Sequence, residues 1–264
     1  MKKMLITTGK TLIFFMGWAL VGGLLPIPDS SNGAVWRFWA ELVPFLSVVG
    51  FTILFWLFEK KRIRLHIISS PLKNIIMGIF AGIVWIGIAA IVLITLGTMK
   101  ITACNPVPML CLWILSVFIN ATMQELLVRG YLYQMLKTEY NVIVATVITT
   151  ALFTFMHGGA FQAGVVPVLN VLTMSLLMTI VLEYTQSLIV PTIMHFIWNC
   201  VGAIILGGVA LASDYPHLYV TEFTGHILLS GGNPKMEGSI IVLIINIGFI
   251  LIFGFLLKRE NYKS

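Results

Sequence analysis

The apolar positions of this chain neither alternate nor mark a single helix face. They run on in blocks of about 18 to 25 residues, each long enough to cross a bilayer as a helix. Eight such blocks are read, at roughly 11–28, 41–58, 75–97, 109–136, 141–160, 164–183, 187–208 and 238–257. Backbone polar groups in lipid must be paired within their own segment, so the pattern predicts an all-α fold, a polytopic transmembrane helical bundle of about eight spans. No soluble domain, low-complexity tract or internal repeat interrupts it. Residues 1–264 read as a single integral-membrane domain with a motif-bearing core at about 107–208.

Composition agrees. Hydrophobic residues make up 59% of the chain and charged residues 10%, and the mean hydropathy is +1.00, which excludes an ordinary soluble domain. The N-terminal Lys2 and Lys3 before an apolar run imitate a signal peptide, but no small-x-small cleavage pattern follows and Pro26-Ile27-Pro28 reads as a span end, so the run is kept as the first helix.

Charge sets the orientation. Lys2, Lys3 and Lys10, then Lys60, Lys61, Arg62, Arg64 and Lys73, then Lys258, Arg259 and Lys263 fall on one side, against Arg37, Lys100 and Lys235 on the other. The excess places both termini in the cytoplasm of a plasma membrane, with a bacterial cell as the expected setting. The net charge of +6 is largely this bias. Its partner is anionic lipid headgroup rather than nucleic acid. Cys104, Cys111 and Cys200 have no metal-ligand spacing and read as isolated thiols, with a Cys104–Cys111 pairing near the outer face as the alternative.

Four ionisable residues sit inside the apolar blocks: Glu125, Arg129, His157 and His195, while nearly every other charge falls in a short loop or at a terminus. A charge or imidazole in hydrocarbon is costly and marks a functional site by default. Glu125 and Arg129 are four apart with the acid first, the favourable order on one helix face. That spacing suits a structural ion pair as well as a catalytic role. Gln124 lies about 100° around the same helix from Glu125. His157 precedes Gly158-Gly159, which permits a sharp turn or a close backbone approach. On its own it reads equally as a hydrogen-bonded core histidine. His195 and Asn199 project from one face, where they can hold a water, a metal or an oxyanion, or act as an interhelical clasp. Counting 1.5 Å per residue from the predicted membrane surface puts these residues within about two helical turns in depth, so one site is geometrically possible.

Gln124-Glu125…Arg129, Phe153…His157 and His195…Asn199 together resemble the motifs of the CPBP intramembrane proteases, also called the CAAX-protease or Abi (bacteriocin-processing) family, relatives of the Rce-type prenyl-protein endopeptidases. That family's pattern is Glu-Glu-x-x-x-Arg, Phe-x-x-x-His and His-x-x-x-Asn or Asp on successive helices. The resemblance implies an intramembrane endopeptidase acting on a membrane-associated peptide or protein. His157 would act on water, His195 and Asn199 would polarise the scissile carbonyl, and Arg129 would support Glu125.

The family's first glutamate is Gln124 here, and an amide cannot serve as a general base. Three readings follow. In the first, Glu125 activates water with His157 while Gln124 orients it, and Glu125, His157 and His195 also make an open zinc site. In the second, the chain is a pseudoprotease that binds a membrane peptide or acts in bacteriocin immunity. In the third, the polar set lines a transporter pathway, which fits poorly because no repeated pair of broken helices is visible. Asp214, His217, Glu222 and His226 form either a second metal site or a solvated outer loop. Glu183 beside Tyr184 reads as interfacial.

Overall fold

The computed structural model describes residues 1–212 and 214–261; Lys263, used above for orientation, lies outside them. In chain order the elements are α1 (Lys2–Leu24), α2 (Gly33–Phe58), α3 (Pro71–Thr95), β1 (Met99–Cys104), α4 (Leu110–Glu125), a π-helical segment Leu126–Leu132 and α5 (Tyr133–Glu139). They continue with α6 (Val142–Met156), α7 (Gly158–Ala163), α8 (Val165–Thr185), α9 (Ile189–Asn199), a second π-helical segment Cys200–Ile205, β2 (Tyr219–Phe223), α10 (Ile227–Ser230), a 3-10 turn Lys235–Gly238 and α11 (Ile240–Asn261). The all-α expectation holds.

Among the described residues six helices are long and apolar enough to span a membrane, and two shorter apolar helices, Val142–Met156 and Ile189–Ile205, fall where the fifth and seventh spans are read. The fifth is short because the helix stops at His157. Fifteen residues rise only ~22 Å against a hydrocarbon core of ~30 Å.

The chain forms two compact units, Met1–Ile67 with Met109–Thr149, and Ile68–Pro108 with Thr150–Ser264. In the first, α2 starts at Gly33, well before the predicted 41, because Asn32 caps it. The Asn32 side-chain oxygen accepts from Ala34 N at 3.0 Å and Val35 N at 3.3 Å. Arg37, read as a loop residue, therefore lies within the helix. Phe14, Phe55 and Tyr131 pack ring on ring at centroid separations of 5.0–5.4 Å. Below them Glu59 meets Lys10 and Arg62. Burial alone would raise the Glu59 carboxyl, but these two cations hold it below its ordinary value.

In the second unit α3, α8, α9 and α11 surround a core that includes Trp85, Leu93, Met178, Val181, Met194 and Val242. Trp85 stacks on Trp198 at 4.2 Å and donates to Asn246 Oδ1 at 2.9 Å. Gly78 and Gly82 on α3 form a small-xxx-small face, which lets helices in a membrane approach closely. A Cβ on Gly78 would stand 2.9 Å from Ile193 Cβ, and one on Gly82 would stand 3.2 Å from the Cα of Met194. This contact fixes the helix that carries His195.

The outer segments are not plain loop. β1 pairs antiparallel with β2, Met99 opposite Phe223 and Cys104 opposite Tyr219, with an irregularity between Ile101 and Ala103. Glu222 thus lies in a strand rather than in a loop. Cys104 and Cys111 are free and exposed.

Candidate active site

The first unit supplies two polar chains. Glu125 and Arg129 are both 0% exposed, and Arg129 Nη1 donates to Glu125 Oε1 at 3.0 Å. The i,i+4 spacing makes this pair without bending the helix, and each charge offsets the cost of burying the other. Glu125 ends α4 and the π-helical segment begins at the next residue. Such turns concentrate at functional sites.

Gln124 faces another partner set, as its offset around the helix requires. Its amide nitrogen donates to Asn120 Oδ1 at 2.8 Å. Asn120 Nδ2 donates to Glu41 Oε2 at 2.8 Å, and Arg37 Nη1 donates to Glu41 Oε1 at 3.3 Å. Glu41 is 5% exposed, a buried acid that the loop-and-terminus reading of the charges missed. The signal was present: Arg37 and Glu41 are four apart at the edge of an apolar run.

The second unit brings His157 and His195 together on either side of Phe153. The Phe153 ring lies 4.4 Å from the His157 ring and 6.0 Å from the His195 ring, centroid to centroid. His157 sits where α6 ends, at φ −92° and ψ 49°, as the glycines after it foretell. Its Nδ1 lies 2.8 Å from Phe153 O. A carbonyl can only accept, so Nδ1 carries the proton that points at it. His195 is 1% exposed and Asn199 6% exposed, one turn apart on α9. As with Glu125, the residue after Asn199 begins a π-helical segment.

His157 lines a cavity of about 460 Å³. Gly158, Gly159, Ala160 and Ala163 form part of its wall. A Cβ on either glycine would meet nothing within 4 Å, so these small residues serve to keep the cavity open rather than to relieve a clash. The same cavity is lined by Glu237, which no motif spacing singles out. Its loop is closely determined. Asn170 Nδ2 donates to Glu237 O at 2.8 Å and Ser239 O at 3.0 Å, and Ala210 N donates to Glu237 Oε2 at 3.1 Å. Gly231, at φ +84°, and Gly238 sit where a Cβ would strike the carbonyls of Lys235 and Gly231. Burial pushes the Glu237 carboxyl up to about 7, offset in part by the Ala210 N–H.

The remaining acids and imidazoles of the outer segment are scattered. His226 accepts from Leu228 N at 3.3 Å, and Glu222 pairs in register with Lys100. Among the described residues no three His, Cys, Asp or Glu side chains are grouped to hold a metal ion.

No curated protein and no solved structure matches the chain. Residues 106–201, the stretch that holds Gln124, Glu125, Arg129, Phe153, His157, His195 and Asn199, match the family described as type II CAAX prenyl endopeptidase Rce1-like.

Proposed function

We propose that this protein is an intramembrane endopeptidase that hydrolyses a peptide bond in a membrane-associated peptide or protein. The observation that carries the reading is His157. Its Nδ1 is held by the Phe153 carbonyl, which assigns proton transfer to Nε2, and it stands on the wall of a cavity large enough for a peptide segment. Water adds to the scissile carbonyl carbon while His157 Nε2 takes its proton. His195 and Asn199 donate to the carbonyl oxygen as charge builds on it. Collapse breaks the C–N bond, and the His157 imidazolium returns the proton to the leaving amine. Both His157 and Glu125, whose charge is balanced by Arg129, are required for cleavage.

A second reading has one observation in its favour: Gln124, in the place of an acid, is tied into an amide network and has no basic lone pair. On that reading the protein binds membrane peptides without cutting them. The positive residues at Lys60–Arg64 and the chain ends support a cytoplasmic location for both termini in a plasma membrane. Purified protein in detergent, incubated with a membrane-peptide library beside His157→Ala, decides between the two. Fragments released by wild type alone support the protease. Equal, saturable peptide binding by both proteins with no fragments supports the binder.

A further inference from the structure

Gln124 is usually the wrong residue to find where a general base is expected, yet its surroundings in the first unit are arranged for an amide. Glu41 is a carboxylate and can only accept. Asn120 must therefore turn its NH2 toward Glu41, as the 2.8 Å contact has it. The Asn120 oxygen then faces position 124 and requires a donor there, which the Gln124 NH2 supplies at 2.8 Å. One end of the chain thus dictates the other. The amide of Gln124 cannot flip, and its Oε1 is the atom left over: buried, and with no hydrogen-bond partner among the described residues. Buried polar atoms are rarely left so.

Charge points the same way. The buried acids Glu41 and Glu125 are matched by Arg37 and Arg129. A carboxylate at position 124 would meet the Asn120 oxygen. If Asn120 turned round, the same oxygen-to-oxygen clash would move to Glu41. It would also be a third buried acid with no cation to match it.

We propose that Glu41, acting through Asn120, is a positioning residue that fixes Gln124 as a hydrogen-bond acceptor for a bound peptide or water. This rests on the hydrolytic reading above. The partner is an N–H or O–H donor, either a backbone N–H of the substrate, unpaired where the peptide is extended, or a bound water. Gln124→Glu therefore does not restore a lost base; it breaks the network.

The test uses full-length Gln124→Glu, Glu41→Gln and the double variant in detergent, with thermal melting and peptide cleavage read on the same samples. Gln124→Glu is expected to melt several degrees lower than wild type and to lose most cleavage. Adding Glu41→Gln, whose amide can donate to a reversed Asn120, is expected to recover at least half of the melting loss. In Glu41→Gln alone, cleavage is expected to fall several-fold. A fall carried by KM assigns the acceptor to a substrate N–H, and one carried by kcat assigns it to water. Strictly additive melting effects, or Gln124→Glu melting and cleaving as wild type does, would overturn the proposal. Melting does not depend on turnover, so absence of cleavage in wild type would sink the hydrolytic reading while melting still decides whether Glu41 governs Gln124.

Discussion

Glu125 and Arg129 are 0% exposed and set their charges against each other, whereas His157 is half-buried on a cavity wall with its Nδ1 against the Phe153 carbonyl. Both motifs place polar atoms among apolar helices, but they distribute the cost differently. The ion pair is expensive to break, because removing one partner strands the other in a medium that cannot solvate it. The imidazole is cheaper to remove, because it is only half-buried and the cavity beside it accepts the loss of volume. Stability and chemistry are thus carried by different motifs of the same protein, and substitutions should separate them.

The largest effect expected is that of His157→Ala and Glu125→Ala on cleavage, each a loss of about 10²–10⁴-fold in single-turnover rate. Melting should tell them apart. Glu125→Ala strands Arg129 and costs about 3–5 kcal/mol, while His157→Ala shifts the midpoint by no more than a surface substitution would. Equal destabilisation by the two would erase the contrast.

Gly82→Val comes next. Its side chain must displace Met194 and Ile197 on α9, an overpacking cost of about 1–3 kcal/mol. Cleavage should fall with it, since His195 and Asn199 ride on that helix. A stable variant with altered turnover would show that the packing of α3 on α9 sets the site rather than the fold.

Glu237 gives a pH signature. Its carboxyl is raised from 4.5 to about 7 in the folded protein, so the folded state binds this proton more tightly than the unfolded state does. The stability it contributes is complete below about pH 4.5, declines as pH rises toward 7 and is flat above. The amplitude is at most about 3 kcal/mol, less the screening by solvent in the cavity. Glu237→Gln should flatten that slope in melting measured across pH.

Much of the membrane fold was legible because hydrocarbon punishes polar backbone and side chains so heavily that spans appear as unbroken apolar runs. The same penalty made Glu125, Arg129, His157 and His195 visible as exceptions. What escaped was set by contacts rather than by composition. Glu41 looked like the edge of a span, and only the Asn32 cap, by starting α2 at Gly33, draws it into the helix. The glycines at 78 and 82 matter through what packs against them. Glu237 is brought to the cavity that His157 lines by a loop whose closure depends on Asn170, Gly231 and Gly238, none of which belongs to a motif. The strands Met99–Cys104 and Tyr219–Phe223 are short and distant in sequence, and pairing alone defines them.

The most direct test of the central claim is chemical rescue at position 157. Imidazole added to His157→Ala should enter the enlarged cavity, supply the missing lone pair and restore a measurable fraction of peptide cleavage, with a pH profile that follows free imidazole. The same addition should do nothing for Glu125→Ala. Cleavage by His157→Ala at the wild-type rate without imidazole would contradict the account.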